Sequence, residues 1–453
     1  MNVMLLLEMA RDGFGDRVAV GDRSTGMTYR QVFAASGAVA GRFTEMEVSH
    51  VGYLDVSTES LPIALFGSAW AGLPFVPLNY RLDDAALARL IGRIAPAVVV
   101  CDPSRYQSVE SAPGVQSLDV SLLPGGQSGV APAEWSYDGE AAAIVLFTSG
   151  TSGEPKAAVL RHRHLVSYVM SSTEFMSASD DEATLVSVPP YHIAGVAAIL
   201  TSVYAGRRMV QLPRFDADAW IDLVVDQSVT HAMVVPTMLA RINERLADRD
   251  ISLETLRALS YGGGKMPRAV IETALDLLPG TDFVNAYGLT ETSSTISILG
   301  PDDHRAARHG DDEAARRRLG SVGRPLPSIE IEIRDREGVV VEAGSAGEIW
   351  VRGDQVAGEY VESGPGRETD GWFATRDEGW LPLRDRKARR RDHSGRREHL
   401  PGRDRGCAPE SPRSGLGRLC RGPGRSLGRG GGRGRGSVRR CACLRCGAAH
   451  SRA

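Results

Sequence analysis

Within nine residues, Thr148-Ser149-Gly150-Thr151-Ser152-Gly153-Glu154-Pro155-Lys156, the chain places four hydroxyls, two glycines and one lysine. Glycines let successive backbone N–H groups turn toward a single anion, hydroxyls add donors, and Lys156 adds a point charge. That combination suits phosphate. It is not the Walker pattern, because proline precedes the lysine and alanine follows it. A flexible Ser/Gly linker is the bland alternative, but linkers rarely follow a buried apolar run such as Ala141–Val145. An amphipathic segment begins near His164, so the loop is expected between a strand and a helix.

Three further stretches carry chemistry. In Phe283-Val284-Asn285-Ala286-Tyr287-Gly288-Leu289-Thr290-Glu291-Thr292, Tyr287 offers an aromatic face, Thr290 a hydroxyl, and Glu291 a carboxylate. Leu259-Ser260-Tyr261-Gly262-Gly263-Gly264-Lys265-Met266-Pro267 reads as strand, triple glycine, then helix, and backbone free of side chains lets a flat ligand approach. Tyr191-His192 ends a strand; a lone histidine there is more often structural, and its company with the hydroxyl-rich loop makes it a candidate.

These residues also carry a resemblance. Thr148 to Lys156 resembles the signature loop of the adenylate-forming superfamily: acyl- and aryl-CoA synthetases, peptide-synthetase adenylation domains and luciferases. Tyr287-Gly288-Leu289-Thr290-Glu291 resembles that family's Y-G-x-T-E, and Gly347-Glu348-Ile349-Trp350-Val351-Arg352-Gly353 resembles its G-E-I-x-V-R-G. Thr375-Arg376-Asp377 stands where T-G-D is usual, with Arg376 in place of the glycine. Gly320-Ser321-Val322-Gly323-Arg324-Pro325 is similar to the lead-in to the family's small β-barrel, and Tyr191-His192 to its aromatic-His pair at the acyl pocket. The match runs over residues 1 to 380.

The resemblance implies ATP-dependent activation of a carboxylic acid through an acyl-adenylate, then transfer to coenzyme A. Thr148, Ser149, Gly150, Thr151, Ser152, Gly153 and Lys156 would hold the β- and γ-phosphates of ATP. Gly262, Gly263, Gly264, Tyr287, Gly288 and Thr290 would line the adenine site, Asp377 would hold the ribose hydroxyls, and Glu291 would bind Mg²⁺. His192 would face the acyl group, and His192, Thr151 and Glu291 are the catalytic candidates. The open wall at Gly262 to Gly264 favours a medium or long fatty acid over an aryl acid. The implied fold is α/β: two doubly wound βαβ subdomains plus a small β-barrel, in one AMP-binding domain over residues 1–380.

The elements that must position these residues follow in order. Residues 1 to 50 read as a helix, a hairpin turning at Asp22–Gly26, and a second helix capped by Thr28. A helix from Leu61 ends at Gly72, before a short strand ending at Pro77, as in a βαβ unit. The β-branched run Val98-Val99-Val100 suits a strand of a parallel sheet buried on both faces. Residues 103–138 read as loop and 301–318 as solvated charge. Ile329-Glu330-Ile331-Glu332-Ile333 alternates as a half-buried strand.

The totals bound the reading. At 453 residues and 42% hydrophobic content, two or three globular domains are expected. No run of 18 apolar residues and no basic leader is present, so a cytoplasmic protein without a transmembrane segment is expected. The net charge of −3 hides a split: residues 381–453 hold 20 arginines and one lysine against five acids, and five of the six cysteines. That leaves −19 on the first 380 residues.

Three readings compete for residues 381–453. One is an RGG-like nucleic-acid arm. One is a metal knot at Cys441, Cys443 and Cys446. The third is translation out of frame. Back-translating Leu381 to Pro409 and reading one nucleotide later permits YLFVTGRxDDVIIRGGENISPxEIEDVLL, which resembles the family's hinge and the opening of its C-terminal lid. The out-of-frame reading is adopted. It leaves residues 381–453 as a non-native, disordered tail that says nothing about nucleic acid. Activity is expected to be impaired, with an ATP-binding remnant lacking ligase activity as the alternative.

Overall fold

The computed structural model describes residues 1–125, 130–132, 134–148, 154–249, 251–309, 313–365, 370–381 and 445–447. The loop Ser149–Gly153 and nearly all of the arginine-rich tail, with its expected disorder, lie outside these residues.

The chain opens as its sequence implies. Helix Met4–Phe14 buries Met4, Leu6, Leu7 and Ala10. A short hairpin pairs Val18–Val20 with Met27–Thr28. Thr28 then caps helix Tyr29–Glu45: its hydroxyl accepts from Gln31 N at 3.3 Å, and the Gln31 side chain accepts from Thr28 N at 2.8 Å. Such reciprocal caps contribute about 1 kcal/mol.

Two large sheets follow. The first runs in the order Gly364–Pro365, Glu359–Tyr360, Lys156–Arg161, Ala142–Thr148, Phe75–Pro77, His50–Leu54, Ala97–Cys101, Val115–Asp119. It is parallel from Ala142–Thr148 to its Val115–Asp119 edge. Val98, Val99 and Val100 are fully buried in it, as β-branched residues covered on both faces should be. The second runs Arg324–Pro325, Ser294–Leu299, Asp282–Leu289, Ala258–Gly262, His231–Val234, Ala183–Val186, Arg208–Gln211, Val18–Val20, Met27–Thr28. One hydrophobic cluster joins both sheets through helices Met4–Phe14, Tyr29–Glu45, Ser60–Trp70 and Ile193–Ala205. Every residue of Ser60–Trp70 is buried, so this helix is core on all sides.

A third, antiparallel sheet contains Glu330–Arg334, Ala346–Arg352, Phe373–Trp380 and Arg445–Gly447. Among the described residues no pairing joins its two edges, so the expected small β-barrel is an open sheet. Its apolar face, with Ile333, Ile349, Val351 and Phe373, packs on Ile296, Val322 and Leu326. A sheet covered on one face in this way needs no closure.

Two other expectations change. Residues 103–138 include the edge strand Val115–Asp119, which buries only Val115 and Leu118 and so lacks the alternation that would mark it between its flanking prolines and glycines. Residues 301–318 form helices Pro301–His309 and Glu313–Arg318, and His304 is buried under the first. Its Nε2 lies 2.9 Å from the Tyr261 hydroxyl. Among the described residues no helix is long and apolar enough to cross a membrane.

His162, which opens helix His162–Ser172, is 1% exposed and accepts from Val3 N at 3.3 Å. Burial, then the N-terminal charge, pushes its pKa down from 6.5 to about 4. Below pH 6.5 the unfolded chain binds this proton and the folded chain does not. The stability His162 contributes is therefore complete above pH 6.5 and lost as pH falls toward 4. The loss is roughly 3 kcal/mol at most. Chemical denaturation from pH 7 to 4 should show a shallower fall for His162→Gln than for wild type. An unchanged slope would exclude this source.

Candidate active site

The hydroxyl-rich loop is not the strand-to-helix turn expected from sequence. Thr148 pairs with Lys156 across antiparallel strands Ala142–Thr148 and Lys156–Arg161, so residues 149–153 connect two arms of a hairpin. The Thr148 hydroxyl donates to Lys156 O at 3.4 Å. The second strand forms because Ala157-Ala158-Val159-Leu160 is a continuous buried run; the helix starts only at His162. Thr148 and Lys156 are described; the candidates Ser149, Gly150, Thr151, Ser152 and Gly153 lie outside the described residues.

Strands Ala258–Gly262 and Asp282–Leu289 lie side by side in parallel, with Gly262 opposite Ala286. This register places the triple glycine beside the Tyr287-Gly288-Leu289-Thr290-Glu291 segment. A Cβ on Gly262 would lie 2.2 Å from Ala286 O, and one on Gly288 1.9 Å from Ser294 O. Those two glycines are required by backbone approach. Gly264 differs: a Cβ there would meet only Pro236, at 3.8 Å and beyond, so this wall is open. Gly288→Ala should therefore cost about 3 kcal/mol, read as a lower denaturation midpoint. Gly264→Ala should leave the midpoint unchanged.

Two clusters form around these strands. In the first, the Tyr287 hydroxyl donates to Asp377 Oδ2 at 2.8 Å. Asp377 is set by a register shift between strands Ala346–Arg352 and Phe373–Trp380. Thr375 secures this turn, donating to Ile349 O at 2.8 Å while its hydroxyl accepts from Asp377 N at 3.2 Å.

In the second, Glu291 lies in the short turn Thr290–Thr292 and is buried. Its backbone carbonyl accepts from Ala357 N and Gly358 N at 2.8 and 3.1 Å. Gln355, fully buried, holds the turn from the far side by donating to Thr292 O and Thr295 O. The Glu291 carboxylate accepts from the Tyr360 hydroxyl at 2.6 Å, and the Lys156 ammonium sits 5.2 Å from the Tyr360 ring centre. Burial, then the Glu291 hydrogen bond and charge, raises the Tyr360 pKa far above its ordinary value. The phenol therefore stays protonated and donates. Tyr360 is anchored in turn by its strand's pairing with Ala158 and by the Arg161–Glu359 ion pair at 2.7 and 2.9 Å. The fold thus brings Lys156 and Glu291, far apart in sequence, onto one tyrosine. That residue belongs to no stretch singled out in the sequence, because its role depends on a pairing between distant strands.

His192 precedes helix Ile193–Ala205, its ring 4.7 Å from Tyr191, whose ring packs edge-on against Tyr80 at 5.4 Å. Its side chain reaches solvent, yet crowding by surrounding protein, then the Arg81 charge, lowers its pKa. The imidazole is neutral at pH 7. Among the described residues, no hydrogen bond or ring contact joins it to the Tyr287–Asp377 pair. Among the described residues a single buried carboxylate, Glu291, is available for a cation, and no group of three or more His, Cys, Asp or Glu suited to a metal occurs. That fits Mg²⁺, which binds one or two carboxylates and takes its other ligands from water and phosphate.

The chain matches a known family and resembles curated and solved members of it. The AMP-binding enzyme family matches residues 7–361. The indoleacetate–CoA ligase of Aromatoleum aromaticum is 28% identical over 374 residues, covering 78% of this chain and 71% of that one. The 2-succinylbenzoate–CoA ligase of Bacillus cereus is 29% identical over 373 residues, covering 81% and 73%. A solved structure of the O-succinylbenzoate coenzyme A synthetase of Bacillus subtilis, in complex with ATP and magnesium ion, superposes with a TM-score of 0.71 at 26% identity, covering 83% of this chain and 77% of that one.

Proposed function

Because the chain belongs to the AMP-binding enzyme family, we propose that it activates an aromatic carboxylic acid with ATP. The observation that carries this reading is the junction at Tyr360, which draws Lys156 and Glu291 together. A phosphate-compatible cation and a metal-compatible carboxylate in one place make a site for a magnesium-bound triphosphate.

In this reading Thr148, Lys156 and the loop between them hold the β- and γ-phosphates, and Glu291 holds Mg²⁺, which would neutralise phosphate charge. Tyr287 and the Gly262–Gly264 backbone flank adenine beside Gly288 and Thr290, and Asp377 takes the ribose hydroxyls. A carboxylate oxygen of the acid attacks the α-phosphorus; the new P–O bond forms as pyrophosphate leaves, giving acyl-adenylate. The chain's part is positioning and charge neutralisation. His192, neutral at pH 7, faces the acyl group. In the second step a coenzyme A thiol adds to the acyl carbon, loses its proton, and AMP departs.

The relatives give no support to a fatty acid. The names of two curated relatives point to indoleacetate and 2-succinylbenzoate, both acids built on an aromatic ring. The open wall at Gly264 leaves room for a planar ring as readily as for an alkyl chain.

A second reading rests on residues 381–453. If they are the family's lid read out of frame, the chain retains nucleotide binding and weak adenylation but makes no thioester. Pyrophosphate exchange with a panel of aromatic and aliphatic acids separates the readings. Exchange driven by an aromatic acid supports the enzyme. Magnesium-ATP binding without exchange for any acid supports the remnant, and no binding at all overturns both.

A further inference from the structure

Arg376 has a backbone φ of +64°, in the left-handed region that a side chain disfavours. It lies in the register shift between strands Ala346–Arg352 and Phe373–Trp380. Irregularities of this kind re-aim side chains next to sites. A long cationic residue kept in a strained conformation, where glycine would be free of strain, calls for a reason outside local folding.

Its surroundings supply one. The next residue is Asp377, hydrogen-bonded to Tyr287. The Arg376 charge also acts on Tyr360, the donor to Glu291, so Arg376 lies within electrostatic reach of the Glu291 cluster. Arg376 is exposed, and among the described residues its guanidinium forms no ion pair; only its backbone N–H is engaged, by Glu348 at 3.1 Å. A cation with no ion pair among the described residues thus adjoins the residue assigned to ribose and lies within electrostatic reach of the residue assigned to the metal.

We propose that Arg376 binds the α-phosphate of the nucleotide. This rests on the nucleotide reading given above. A guanidinium matches phosphate oxygens in geometry and stays charged at any working pH. On a nucleotide, the α-phosphate is the group lying between ribose and the metal-bound β- and γ-phosphates. Arg376 therefore places positive charge at the phosphorus that the acid attacks.

The test measures affinities of the full chain for AMP, magnesium-ATP and adenosine by calorimetry, with wild type, Arg376→Gln and Arg376→Gly. Both variants should bind AMP and magnesium-ATP about tenfold or more weakly, and adenosine equally well. Arg376→Gly should also keep or raise the denaturation midpoint, since it removes the strain. Equal AMP affinity in wild type and Arg376→Gln would overturn the proposal while leaving the nucleotide reading intact. Equal loss for adenosine would also overturn it, by showing a general disturbance of the site. Failure of wild type to bind any of the three ligands would overturn the nucleotide reading and this proposal together.

Discussion

Glu291→Gln should lower magnesium-dependent pyrophosphate exchange by about 10²–10³-fold. The substitution keeps the shape of a buried side chain and leaves the backbone carbonyl bonds to Ala357 and Gly358 untouched. The amide oxygen can still accept from Tyr360, so the fold should survive. What is lost is one negative charge at the point assigned to the cation. The signature is specific: affinity for magnesium-ATP should fall toward that for ATP with EDTA, while AMP, which needs no cation, should bind as before. Tyr360→Phe is the companion test. It removes the hydrogen bond that orients Glu291 but keeps the charge and the ring under Lys156, so its loss should be smaller and should be partly recovered by raising magnesium. If Glu291→Gln retained wild-type exchange at low magnesium, the assignment of Glu291 would fall.

The second large effect concerns residues 381–453. A gene restored by the one-nucleotide shift from Leu381 onward should yield thioester at least about 10²-fold faster than the present chain. Closing a lid over the adenylate excludes water and positions the thiol, and lost positioning alone can cost that much. Adenylation, followed by pyrophosphate release, should rise as well, because a lid also completes the charge arrangement around the reacting carboxylate. The comparison needs thioester measured directly, since adenylate hydrolysis would also consume ATP. Equal thioester rates from the two chains would remove the case for translation out of frame. A present chain that made thioester at the restored rate would also refute its expected impairment.

Much of this protein was legible in local sequence. The cap at Thr28 follows from hydroxyl and glutamine three residues apart, and the buried strand Ala97–Cys101 from an uninterrupted β-branched run. The segment Tyr287–Glu291 offered an aromatic face, a hydroxyl and an acid in sequence, and the structure sets them at a strand end and a turn where a tight backbone approach demands Gly288. Other features were not legible. The edge strand Val115–Asp119 is defined by its neighbour, and with only Val115 and Leu118 buried it has no alternation to separate it from loop. The hydroxyl-rich loop was assigned to a strand–helix junction because a run of alanine, valine and leucine suits a buried strand and a helix alike.

By itself the sequence determined which chemical groups are available: a cluster of hydroxyls with a lysine, an acid after a tyrosine–glycine pair, and an open glycine wall. Local spacing also determined the type of most elements carrying them. Only the tertiary structure decided which groups meet. Tyr360 reaches Glu291 because strand Glu359–Tyr360 pairs with Lys156–Arg161, and Asp377 reaches Tyr287 through a shifted register in a separate sheet. The physical reason is that side-chain contacts between distant segments depend on strand order and register, and these are fixed by burying apolar faces across the whole domain.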